Sequence, residues 1–430
     1  MVGKEGDKAE DLFNKGLEFQ ESLKFEEAIE CYDKALEIEP LYEGAWGNKG
    51  VCLERTGRYT NALNCYDKVL EINPKSYMGW FSKGNTLYNL DRNEEAIKCY
   101  EETIKIKPDH YGSWNNKGNC LAILDNYEEA FICFDKAIDI NPSDESAWAL
   151  KGTWLDKIDR SEEAMHYYAE ALKINPGLAN IWFKKALCLF SSDKENSNVE
   201  EYVSQFETAL DLGLPSEDEA NARALLGYGY TTLEKYSEAK RELEKAKGID
   251  DQSNNEILGE EIREMANTQL AFCYAVDARS LREEGKVDEA VKVAHQAIQL
   301  DNSCNAAHLV LAECYLDQKK WNSVISEYKG VDINKLTPDL VILIHTNLGL
   351  SYKETENIDS AITEFEKVLN LNDMAEGNLL EKSKLPPILN ALSQCYAMKS
   401  ASLNEEGKLE EAITAAKKSI QIFESSDAGH

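Results

Sequence analysis

Five residue types return every 34 positions along the first part of this 430-residue chain, and nothing else limits its fold so tightly. Tryptophan stands at Trp46, Trp80, Trp114, Trp148 and Trp182, and glycine at Gly16, Gly50, Gly84, Gly118 and Gly152. Alanine stands at Ala28, Ala62, Ala96, Ala130 and Ala164. An aromatic follows at Tyr32, Tyr66, Tyr100, Phe134 and Tyr168, and proline closes each period at Pro40, Pro74, Pro108, Pro142 and Pro176. A fixed period of this length specifies a small unit that stacks on copies of itself, rather than one globular core.

Residues 43–76 show what one period encodes. Trp46, Gly50 and Leu53 fall at i, i+4 and i+7, the apolar stripe of a first helix. Beyond Gly57 a second stripe runs through Ala62, Tyr66 and Val69, and the Asn73-Pro74 pair stops it, since proline disfavours helix in the residue before it. Glycine inside a helix costs about 1 kcal/mol relative to alanine. Its recurrence therefore predicts that two antiparallel helices cross closely there. The large Trp and Tyr fill the space between hairpins.

This spacing of Trp, Gly, Ala, aromatic and Pro resembles the tetratricopeptide repeat. The resemblance implies an all-α, right-handed α-solenoid of about eleven helix-turn-helix units, with first helices lining a concave groove that holds a partner peptide. Residues 1–8 are a polar lead-in and 9–178 hold five near-consensus units. A degenerate sixth spans 179–219, with Ala186 at the glycine position and a polar loop at 191–201 that reads as a lengthened turn and a hinge. The stretch 220–430 holds divergent units with longer first helices. There Leu270-Ala-Phe-Cys-Tyr-Ala returns 122 residues later as Leu392-Ser-Gln-Cys-Tyr-Ala, and in both copies the first helix is expected to start early, near Glu256 and Pro387.

Composition narrows the function. A formal charge of −31 disfavours nucleic acid and anionic membrane as partners, because both require cationic surface. Part of the acidity is structural: the pairs at Glu26, Glu94, Glu128 and Glu162 open second helices, where carboxylates favour the dipole. The eleven cysteines keep repeat register, as at Cys31, Cys65, Cys99 and Cys133, and none forms a C-x-x-C pair. Packing is the expected role, in a reducing compartment. The first ten residues lack the apolar core of a signal peptide, and no apolar run would span a bilayer, so a soluble cytoplasmic protein is expected.

If first helices line the groove, repeat positions 2, 5, 6, 9 and 12 face it. These carry Asn14, Asn48, Asn85, Asn115, Asn116 and Asn119, with Phe81, Tyr88 and Phe183 between them. Asparagine offers both donor and acceptor, so a row of it can clamp the backbone of an extended peptide. Such a row is similar to the asparagine ladder of some tetratricopeptide superhelices. The family's carboxylate clamp for chaperone tails would use Asn85 and Asn116, but its basic slots hold Phe81, Ser146 and Leu150. A chaperone cofactor of that type is disfavoured. The lysine column Lys15, Lys49, Lys83, Lys117, Lys151 and Lys185 is expected to cover apolar surface and offset nearby carboxylates.

No phosphate-binding loop, nucleophile elbow or H-E-x-x-H segment occurs, so no catalytic residues, metal ligands or cofactor are assigned. His308 and His345 replace the Trp of first helices, where a polar tip on a packing residue is expected. The last helix would expose Ile413, Ile420 and Phe423, a candidate self-association face. The expected function is a non-enzymatic protein–protein interaction scaffold. The alternatives are a self-assembling structural homo-oligomer and a chaperone-associated cofactor without a carboxylate clamp.

Overall fold

The computed structural model describes residues 2–374 and 384–427. Among them stand twenty-two α-helices, one 3-10 turn and no strand, so the chain is an all-α solenoid. It divides into two compact units, Met1–Leu214 and Pro215–His430. The first holds six hairpins: α1 (Val2–Glu21) with α2 (Phe25–Ile38), α3 (Glu43–Arg55) with α4 (Tyr59–Ile72), α5 (Tyr77–Asn89) with α6 (Asn93–Ile106), α7 (Tyr111–Ile123) with α8 (Tyr127–Ile140), α9 (Glu145–Lys157) with α10 (Ser161–Ile174), and α11 (Ala179–Ser192) with α12 (Val199–Leu212). The second holds five: α13 (Ser216–Thr232) with α14 (Tyr236–Gln252), α15 (Glu260–Glu283) with α16 (Val287–Leu300), α17 (Asn305–Asp317) with α18 (Trp321–Lys329), α19 (Pro338–Glu354) with α20 (Ile358–Met374), and α21 (Leu385–Glu405) with α22 (Leu409–Asp427).

Each of the first five hairpins closes on the glycine that the period predicts. A Cβ at Gly50 would lie 2.7 Å from the Tyr66 ring, and one at Gly84 2.7 Å from the Tyr100 ring. The aromatic of the second helix therefore lies flat under a first helix that has no side chain there. Tyr32, Tyr66, Tyr100, Phe134 and Tyr168 are all fully buried. Each buried ring is worth about 2–3 kcal/mol. The turn between helices places one residue in the left-handed region: Leu23, Gly57, Asp91, Asp125 and Asp159 in the first unit. Only Gly57 announces that turn in the sequence. The other four adopt it because the packed helices on either side dictate it.

The recurring spacing of Trp and Pro has a polar reason as well as a packing one. The indole N–H of Trp46 donates to the carbonyl of Pro40 at 2.8 Å, and Trp80, Trp114, Trp148 and Trp182 repeat the bond to the residue six positions earlier. In this way each first helix is tied to the turn before it. The polar loop of the sixth hairpin is ordered by Asp193, which accepts from the backbone N–H of Ser197 and of Asn198, both at 2.8 Å.

The second unit departs from the plan. α15 and α21 are 24 and 21 residues long, starting at Glu260 and Leu385, against 13 for α3. α17 keeps the 13-residue length, so longer first helices are not uniform in this half. The 122-residue repeat is structural: Tyr274 donates to Glu244 at 2.8 Å, and Tyr396 to Glu366 at 2.5 Å, each spanning 30 residues. α18 is only nine residues long and is followed by the 3-10 turn Ile333–Lys335. A buried carboxylate, Asp250, holds the entry to α15 by accepting from the N–H groups of Ile257 and Leu258 and from Arg263.

Candidate partner-binding grooves

In the first unit an open cleft of about 310 Å³ lies between α3 and α5, lined by Gly44, Gly47, Asn48, Met78 and Ser82 over a floor that includes Val69. These are repeat positions 2, 5 and 6, and the glycines make the recess. Asn48 turns its amide back on its own helix, donating to the Gly44 carbonyl at 3.1 Å. Asn14, one hairpin earlier, is exposed.

Further along, the asparagines bond to one another. Asn116 Nδ2 donates to Asn85 Oδ1 at 2.9 Å, and the Tyr100 hydroxyl donates to the same oxygen at 2.9 Å. Asn119 Nδ2 donates to the Tyr88 hydroxyl at 3.0 Å and Asn119 Oδ1 accepts from the Trp154 indole at 2.9 Å. This network spans three successive first helices and fixes which end of each amide is taken. The Asn85 oxygen is saturated, while its two N–H groups are the donors left over. Two position-5 residues are placed differently from the sequence reading. Phe183 is 6 % exposed and packs on Phe206, and Asn115 is 7 % exposed, so both belong to the wall between helices rather than to an open groove. Phe81 is half-buried, edge-on to His110 with ring centroids 4.6 Å apart.

The lysine column is already occupied. Lys83 pairs with Asp67 at 2.7 Å and Lys117 with Glu101 at 2.8 Å, each on the preceding second helix; Lys49 and Lys151 pair likewise with Asp33 and Asp135. Lys49, Lys83 and Lys185 also lie over the Trp three residues before them. All eleven cysteines are free and buried, and burial pushes the thiols of Cys52, Cys65 and Cys99 up to about 11. Glu54, at position 12 of its repeat, has its carboxyl raised chiefly by burial, against the hydroxyls of Thr86 and Tyr66 that it accepts from.

The second unit carries a larger recess that the sequence reading missed. A cleft of about 460 Å³ lies between α15 and α17, lined by Phe272, Val276, Arg279, Leu309, Lys335 and Leu336 among others. It continues past Thr268 and Asp301 into a polar recess bordered by Glu260 and Glu264. Phe272, Ala275, Val276 and Arg279 are positions 2, 5, 6 and 9 of their repeat. The positional rule used for the first five repeats would have found them had it been carried onward.

His308 shows what a Trp site becomes when the ring is smaller. Its Nε2 faces the carbonyl of Asn302 at 3.0 Å, six residues earlier, in the place of the indole bond. Its Nδ1 faces Glu327 at 2.8 Å, and a Cβ on Gly330 would lie 2.9 Å from the ring. Both nitrogens meet acceptors, which favours the imidazolium, and the hydrogen bond to Glu327 raises the His308 pKa above its ordinary value. His345 repeats the carboxylate contact alone, its Nδ1 facing Glu364 at 2.6 Å. Both histidines pack as the sequence predicts.

Sequence profiles described as tetratricopeptide repeat match residues 9–42, 44–76, 77–110, 112–144, 145–178, 281–332 and 343–373. No curated protein matches the chain by sequence. Among solved structures, the chain is similar to a tetratricopeptide repeat protein from Parabacteroides merdae at 19% identity. That match covers 61% of this chain and 99% of the other, with a TM-score of 0.44. The C-terminal part of a repeat protein from Cytophaga hutchinsonii matches at 14% identity, covering 59% and 98%, with a TM-score of 0.47. YrrB, described as a TPR protein with an unusual peptide-binding site, matches at 22% identity, covering 43% and 92%, with a TM-score of 0.37.

Proposed function

The chain belongs to the tetratricopeptide repeat family, a protein-interaction scaffold in general terms, and on that premise we propose that its first unit holds an extended segment of a partner protein in the groove of α3, α5 and α7. The observation that carries this reading is the interlocked row of Asn85, Asn116, Asn119 and Tyr88, which holds amide groups along one wall at fixed orientation. Preorganised donors cost little entropy on binding, and an extended backbone offers an acceptor to match them. Asn48 and Ser82 border the open end of the same groove. The free, buried thiols favour a reducing, cytoplasmic setting.

The test is a photo-cross-linking amino acid placed at Ser82, in the groove, and separately at Lys68, an exposed residue of α4, followed by capture from native extract. Partner cross-links from position 82 but not 68 support the groove. Equal labelling at both positions sinks it.

Self-association is a second reading, favoured by one observation. Ile413 and Ile420 are 54 % and 59 % exposed, whereas Leu63 and Leu70, at the same repeat positions in α4, are each 8 % exposed beneath the next hairpin; Phe423 is 50 % exposed. A face that elsewhere receives a first helix is open here. Sedimentation of the wild type and of Ile413→Lys/Ile420→Lys decides this reading, which requires that the charged variant lose mass relative to the wild type.

A further inference from the structure

α22 carries an exposed apolar seam of regular spacing. Leu409, Ile413, Ala416, Ile420 and Phe423 follow one another at steps of four, three, four and three residues. That is the 3.5-residue period of a coiled-coil seam, and it runs about 21 Å along the helix. Leu409, at 60 % exposure, is as open as the three larger residues that follow it, and Ala416 is half-buried. Ala416 stands at the repeat position of Tyr66 and Tyr100, so the middle of the seam is shallow. One flank is taken by α21: Ala412 is buried, and the Ser419 hydroxyl donates to the Ser393 carbonyl at 2.9 Å. The other flank is exposed and carries Glu410 and Lys417, neither with an ion pair among the described residues.

The first hairpin lacks a face that would receive this seam. In later repeats the third residue of the first helix packs on the preceding second helix and is small: Ala45 and Ala147 are buried, and a Cβ at Gly79 would lie 2.8 Å from Val69. The tenth residue is buried too, at Cys52 and Cys120. α1 has Asp11 and Glu18 at these two positions, both exposed, with Lys15 exposed between them. Pressing Leu409 and Ile413 against those carboxylates would desolvate charge without pairing it. A polar cap of this kind opposes stacking of the last hairpin of one copy on the first hairpin of another. The seam of a second α22 offers an apolar stripe of equal length and charges in the opposite order.

We propose that two copies of the chain pair through α22, antiparallel, in a closed two-fold dimer. This rests on the self-association reading above and gives it an orientation and a register. Leu409 opposes Ile420 of the second copy, and Ile413 fills the shallow place at Ala416 of the second copy. Two-fold symmetry makes each contact twice. The same register sets Glu410 beside Lys417 of the second copy, again twice. Parallel pairing would instead turn Glu410 and Lys417 toward the flank that α21 covers, where they meet no charge. Because the interface is self-complementary, assembly stops at two copies.

The experiment combines sedimentation equilibrium and disulfide trapping on the full chain. The wild type is expected to be a dimer. Glu410→Lys or Lys417→Glu alone puts like charges at both contacts and should weaken the dimer about tenfold, and the two exchanges together should restore it. All native cysteines are buried, so mild oxidation reports introduced ones. Leu409→Cys and Ile420→Cys variants, once mixed, should cross-link to each other and neither to itself. Circular dichroism verifies that each variant remains helical. A monomeric wild type sinks this proposal and the self-association reading together. Cross-linking of like to like, growth beyond two copies, or a dimer indifferent to the charge exchange overturns the antiparallel register and leaves self-association standing.

Discussion

The amide row of the first unit and the cleft between α15 and α17 in the second occupy the same repeat positions, yet their chemistry differs. In the first unit, short helices of one length bring position 9 of one repeat beside position 6 of the next, and Asn85 and Asn116 bond across the gap. Lys49, Lys83, Lys117 and Lys151 are each neutralised by a carboxylate of the previous hairpin. The surface that results is uniform, polar and locally satisfied. In the second unit α15 is 24 residues long and α18 only nine, and Arg279 has no ion pair among the described residues. Regular repetition makes a row of like groups at like spacing. A break in repetition makes a recess of unlike ones.

The largest effects should test whether the two units are independent. Phe134→Ala and Phe365→Ala each remove a fully buried ring and should cost about 3–5 kcal/mol. Tryptophan fluorescence during urea unfolding reports mainly the first unit, which contains Trp46, Trp80, Trp114, Trp148, Trp154 and Trp182, and hydrogen exchange reports both. Phe134→Ala should shift the fluorescence transition and leave amide protection in α19–α22 intact. Loss of protection throughout would show one cooperative molecule.

Asp250→Asn should cost about 2–3 kcal/mol, since it weakens hydrogen bonds to a buried charge and leaves Arg263 unpaired. The bond from Arg263 holds the Asp250 carboxyl below its ordinary value. A depressed folded pKa gives stability that is present above the unfolded value of about 3.9 and is lost as pH falls through the folded one. Stability of the second unit, followed by hydrogen exchange, should therefore fall in the wild type as pH drops below about 4. The Asn variant should show less change in stability below about pH 4.

His308 gives a smaller effect of opposite sign. Its pKa is raised by the bond to Glu327, so its contribution is full below the unfolded value of about 6.5 and is lost as pH rises through the folded one. Melting of the second unit should show a loss of stability on passing from about pH 6 to about pH 9. His308→Gln should flatten that slope. An unchanged slope would assign it to other groups. The smallest effect sits in the first unit: Leu23 is exposed with φ of 59°, and Leu23→Gly should raise stability by about 0.5 kcal/mol in urea titrations by removing that strain.

Much of the architecture is carried by single residue types at fixed spacing. Glycine over aromatic dictates how each hairpin closes, Asn-Pro dictates where it stops, and Cys in register with the aromatic marks the buried face. Those are local rules, and a period of 34 lets each be read several times. The groove positions were legible too, but not what their side chains do to one another. Asn85, Asn116 and Asn119 look alike in the sequence, and whether they face a ligand or each other depends on the distance between neighbouring helices. Position 5 was read as groove because helical periodicity places it near that face; the crossing of adjacent hairpins buries Phe183 and Asn115 instead.

The sequence by itself determined the repeat, the hairpin and the core, because these follow from contacts within one period or between adjacent ones. Only the tertiary structure decided the second-unit cleft. Lys335 and Arg279 are 56 positions apart, and they border one recess because the chain turns back at Ile333–Lys335 after the early end of α18, which no local pattern encodes.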